Sequence, residues 1–86
     1  MVALWRVTVR IDFVPTEVTL ELLRSQHGHL EHDVEVADDH VDVTALVRAL
    51  TGDRAVAYCL QATQSVVRAA DKIRVLAVHE MPERLP

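Results

Sequence analysis

Eighty-six residues with a formal net charge of −4 and a sequence pI near 5.6 make one small acidic domain, without the basic excess that attracts a phosphate backbone. One cysteine, Cys59, excludes an internal disulfide and any all-thiolate metal centre. Half of the residues are hydrophobic but there is only one Trp, one Tyr and one Phe, so the core consists of small branched side chains; a domain of this size buries only about 60% of its unfolded surface, and self-association is expected.

No apolar run approaches the ~18 residues of a membrane span, and no charged-then-apolar leader opens the chain. A cytoplasmic location is the expectation, with no membrane partner.

From Ala3 to Val14 the chain alternates. Ala3, Trp5, Val7, Val9, Ile11 and Phe13 are apolar, with Arg6, Thr8, Arg10 and Asp12 between them. A side-chain period of two predicts a strand with one buried face. Because it carries the Trp and the Phe on that face, it belongs mid-sheet. Pro15 has no amide to give a ladder and ends it.

Thr16 then caps a helix over 16–27, with Glu17 at the positive end of the dipole. Val18, Leu22 and Leu23 form its apolar stripe, and Gly28 is the expected left-handed stop.

A hairpin follows. Leu30, His32, Val34 and Val36 alternate with His29, Glu31, Asp33 and Glu35; beyond Asp38-Asp39, Val41, Val43, Ala45 and Val47 alternate with His40, Asp42, Thr44, Leu46 and Arg48. A turn at Asp38-Asp39 pairs Val36 with Val41, Val34 with Val43, His32 with Ala45 and Leu30 with Val47, which puts the apolar residues of these pairs on one side.

Thr51 and Gly52 break the strand, and Asp53 to about Ala70 reads as a second helix. Val56, Cys59, Leu60, Thr63, Val66, Val67 and Ala70 fall within an arc of roughly 120°. Cys59 lies on that arc, which makes it a buried, inert thiol. Ile73, Val75 and Ala77 then alternate with Arg74, Leu76 and Val78 as a last strand. Residues 1–80 thus form the folded domain, and 81–86, with two prolines, a loose tail.

The order β-α-β-β-α-β predicts a ferredoxin-like α+β sandwich. Its antiparallel sheet has strand order 4-1-3-2, with both helices on one face. The likeness is to a superfold and to no family within it, and a superfold does not specify function.

His27, His29, His32 and His40, with Glu31 and Asp33 among them, are zinc-ligating residue types. The strand parity sends His29 and His32 to opposite faces, leaves His27 at the helix end and puts His40 at the far end of the neighbouring strand, so no metal site is expected. Glu35 faces Asp42 across the hairpin, and like charges placed opposite cost stability.

There is no Ser-His-Asp arrangement, Gly-rich phosphate loop or Cys-His pair, and no cofactor is implied. Acylphosphatase-like chemistry on this fold wants an arginine in the loop after strand 1, which here is Val14-Pro15-Thr16. RNA-binding members stack bases on exposed aromatics; the corresponding positions hold Arg6, Thr8, Arg10, Asp42, Thr44 and Leu46. The Cys-x-x-Cys of metal carriers is absent.

The helix-free sheet face carries the functional expectation. Strand 4 brings Lys72 and Arg74 and strand 1 brings Arg6 and Arg10, whereas strand 3 brings Asp42 and strand 2 brings Glu31, Asp33 and Glu35. At the other end of the strands, Leu4, Leu46, Leu50, Leu76 and Val78 add aliphatic groups to that face.

A wet face has no need of those aliphatics. The reading is a non-enzymatic interaction or regulatory module, self-associating or binding another protein through this face. The alternative is a small enzyme or ligand-sensing domain of the dimeric α+β barrel type, with Arg10, His40 and Asp42 converging at one end and a small-molecule ligand in the cleft.

Overall fold

The structure is a computed structural model that describes residues 2–25 and 31–82, with Glu31 and His32 described by their backbone alone. Its elements run β1 (Ala3–Ile11), α1 (Glu17–Arg24), β2 (Glu31–Val36), β3 (Val41–Ala49), α2 (Gly52–Val66), a 3-10 turn (Ala70–Lys72) and β4 (Ile73–Met81). The four strands form one antiparallel sheet in the order β2-β3-β1-β4, with β1 inside it. This is the ferredoxin-like α+β arrangement that the alternation and the two helices imply. No helix among the described residues is long and apolar enough to cross a membrane.

The helices cover one sheet face, and the core beneath them has two parts. Under α2, Val7, Val9, Ala45 and Val47 meet Ala55 and Cys59, with Trp5 and Val78 packed at the margin. Under α1, Ile11, Val41 and Val43 meet Leu20, Leu23 and Val67, with Phe13 at the margin.

Trp5 is only partly buried. Its indole N–H donates to the Ala49 carbonyl at 3.2 Å, and its ring lies so close to Gly52 that an added Cβ would approach it to 3.1 Å.

The hairpin has the expected register, from Glu31 opposite Leu46 to Val36 opposite Val41. The Ala37 amide donates to the His40 carbonyl at 2.9 Å and closes the Asp38-Asp39 turn. Two-residue turns usually take glycine; here the paired apolar face fixes the register instead.

Several boundaries and faces differ from the sequence expectation. β1 stops at Ile11, where the Asp12 amide donates to the Lys72 carbonyl at 2.8 Å and the chain turns away. α1 is shorter than 16–27: Thr16 caps it, and it ends at Arg24 with Ser25 as C-cap. Gly28 and Leu30 lie outside the described residues.

The buried face of α1 is Leu20 and Leu23, while Val18 is 72% and Leu22 51% exposed. A helix this short covers the sheet with one narrow stripe, and the Leu20/Leu23 stripe is the one that reaches Ile11 and Val41. α2 ends at Val66, with Val67 as a buried C-cap in extended conformation whose amide donates to the Thr63 carbonyl. β4 runs on to Met81, so the strand includes the first residue assigned to the tail.

The largest correction is in β4. Its pairing with β1 shifts between Thr8 and Val9, leaving Leu76 as an extra residue between Ala77, opposite Thr8, and Val75, opposite Val9. Such a bulge reverses the alternation beyond it. Val78 therefore stands opposite Val7 and packs against the core, not on the open face. Ala77 and His79 take the outward positions.

Candidate functional site

The register lays out the helix-free face as rows across the sheet. Reading from β4 to β2, one row is Arg74, Arg10, Asp42 and Glu35. The next is Ala77, Thr8, Thr44 and Asp33; the one after is His79, Arg6, Leu46 and Glu31; then come Met81, Leu4 and Arg48.

Arg6, Asp33, Glu35 and Arg74 are exposed, while Leu4, Arg10, Asp42 and Leu46 are half-buried. For Glu31 the ladder position alone is described. Leu76 sits at the bulge and is 42% exposed; Leu50 lies past the end of β3.

Two neighbouring strands bring the central pair together. Arg10 Nε donates to Asp42 Oδ1 at 2.8 Å and Nη2 to Asp42 Oδ2 at 3.0 Å, a two-pronged ion pair across the middle of the sheet. The Arg10 hydrogen bond holds the Asp42 carboxyl below the usual carboxylate range, against the opposing effect of desolvation. The same bond raises Arg10.

Around this pair, Arg74 Nε lies 3.4 Å from Asp12 Oδ1. His40 Nδ1 lies 2.6 Å from Asp39 Oδ1, and its Nε2 is 3.9 Å from Asp42 Oδ2. The hydrogen bond from His40 also lowers the Asp39 carboxyl. One row up, the Thr8 and Thr44 hydroxyls are 3.2 Å apart.

Arg10, His40 and Asp42 thus do converge, yet they are poorly set for proton transfer. An acid–base carboxylate works best with a pKa near the operating pH, and Asp42 is shifted the other way with both oxygens engaged. Cys59 is also a poor nucleophile, since burial pushes its thiol up to about 11.

The described residues bring together no group of three or more His, Cys, Asp or Glu side chains placed to hold a metal. His27, His29 and the His32 side chain lie outside them.

The alternation missed His79 and Ala77 as face residues because Val75, Leu76, Ala77 and Val78 are all apolar, so the run contains no polar residue to mark the bulge. It also missed a concavity of about 470 Å³ at the other end of β3, bordered by Val2, Leu50, Arg54 and Tyr58. Those residues come from three places in the chain, the N-terminal segment, the end of β3 and α2, and no single periodic pattern joins all three.

No known family model, no curated protein and no solved structure matches this chain.

Proposed function

We propose that the chain is a non-enzymatic, cytoplasmic interaction module that pairs with a second copy of itself through the helix-free sheet face. The observation that carries this reading is the division of charge along the row Arg74, Arg10, Asp42 and Glu35. Two rows away, Arg6 repeats the basic side on β1 and Glu31 holds the acidic position on β2.

The division favours one symmetry. A two-fold axis parallel to the strands, between β1 and β3, lays β4 over the partner's β2 and β1 over the partner's β3. In the Arg10 row, Arg74 then lies over the partner's Glu35 and Arg10 over the partner's Asp42, so the two Arg10–Asp42 pairs become a ring of four alternating charges. An axis across the strands would stack β4 on β4, like on like. Isologous contacts of the first kind are the usual way a face complements itself.

Sterics agree with this geometry. Ala77, Thr8 and Thr44 form a row of small side chains that lets two sheets approach to about 10 Å. Leu4 and Leu46 are half-buried on the same face and supply apolar area. β1, β3 and β4 are nine residues each, so the face measures roughly 19 by 30 Å, comparable to what a standard interface takes from each partner.

Sedimentation over a concentration series tests the reading. Wild type is expected to dimerise and to dissociate progressively towards 1 M salt, where the screening length falls to about 3 Å. Leu46→Arg adds a third cation near Arg6 of both copies and is expected to give a folded monomer by circular dichroism. A wild-type chain that stays monomeric at about 1 mM and low salt overturns the reading.

A further inference from the structure

We propose that the concavity at the end of β3 binds a small organic carboxylate with an apolar tail or ring. It shares only Arg48 with the sheet face and does not depend on the sheet-face contact. Val2, Val47, Leu50 and Tyr58 line it together with Arg48 and Arg54, and its volume is about 470 Å³. That falls in the range of small-molecule sites, roughly 300–1,000 Å³.

Its composition sets it apart from the rest of the molecule. Val2 is 47%, Leu50 52% and Tyr58 41% exposed, so three large apolar side chains left uncovered by the fold meet at one hollow. Exposed hydrophobic groups that converge on a concavity mark a binding site more often than scattered ones do.

Two guanidinium groups line the same hollow, and among the described residues no carboxylate does, in a chain whose net charge is −4. Arg54 and Tyr58 are four residues apart on α2 and so share a face of the helix, while Arg48 and Leu50 come from the end of β3. A planar carboxylate matches the fork of an arginine, and Tyr58 with the aliphatic wall accepts an apolar body.

The test uses two probes with the same tail and opposite heads, octanoate and octylammonium, titrated into the whole chain and followed by backbone amide shifts. Octanoate is expected to saturate with a dissociation constant at or below about 1 mM, moving Val2, Leu50, Arg54 and Tyr58. Octylammonium is expected to bind at least about tenfold more weakly.

Arg54→Glu is the informative variant. It follows Thr51, whose hydroxyl already accepts from the residue 54 amide at 3.2 Å, and a glutamate there completes a capping box, so α2 is preserved. It is expected to weaken octanoate about tenfold or more and to strengthen octylammonium. Tyr58→Ala is expected to weaken both. Equal binding of the two heads, octanoate binding unchanged in Arg54→Glu or Tyr58→Ala, or no saturation by octanoate overturns the proposal.

Discussion

The indole of Trp5 lies against the first residue of α2, and this contact gives Gly52 its reason. In a helix interior, alanine outperforms glycine by about 0.5–1 kcal/mol. Here a Cβ would stand 3.1 Å from the Trp5 ring, so the ring must shift, and its hydrogen bond to the Ala49 carbonyl resists the shift. Gly52→Ala is therefore expected to destabilise the native chain, but to stabilise a Trp5→Leu background by up to about 1 kcal/mol. Urea melts of the two single variants and the double variant check this through the sign of the coupling. A gain in both backgrounds would mean that the ring yields freely.

At the scale of the elements, the sequence was most legible where polar and apolar residues alternate cleanly. Val34, Val36, Val41 and Val43 share a face only when the Asp38-Asp39 turn sets the register, so the β2–β3 ladder followed from parity alone. The same logic failed in β4, because an apolar run carries no parity. It failed again in α1, where Val18, Leu20, Leu22 and Leu23 offer two competing stripes and tertiary packing chose Leu20 and Leu23. Of the candidate face, the convergence of Arg10 and Asp42 was legible from strand order and parity, whereas Val78 was misplaced by one extra residue. The bulge makes a sharp expectation. Val78→Asp buries a carboxylate beside Val7 and should cost about 3 kcal/mol or more, while Ala77→Asp, facing outward beside Thr8, should cost under about 1 kcal/mol. Thermal melts of the two variants decide; the reverse order would restore the unbroken alternation and remove the bulge.

On the scale of the whole molecule, the question is whether the two charged halves of the face serve only each other. Within one chain, Arg10 and Asp42 form a two-pronged, half-buried pair, and the exposed Arg74 lies near Asp12, a contact of the kind that adds little to stability. Glu35, however, stands opposite Asp42 with like charge, an arrangement that a lone chain has no reason to keep. In the two-fold pairing proposed above, Arg74 lies over the partner's Glu35, which accounts for both residues at once. Reversing one charge, by Arg74→Glu or by Glu35→Arg, sets like against like at both symmetric contacts and should weaken the dimer at least about tenfold. Reversing both restores opposite charges across the interface and should recover most of the affinity. Glu35→Arg alone should stabilise the monomer, since it removes the repulsion with Asp42, so stability and association are expected to move in opposite directions in that variant. Sedimentation and melting of the four proteins, in low and high salt, separate the two effects. A double variant as weakly associated as its single parents would show that Arg74 and Glu35 do not meet across the dimer.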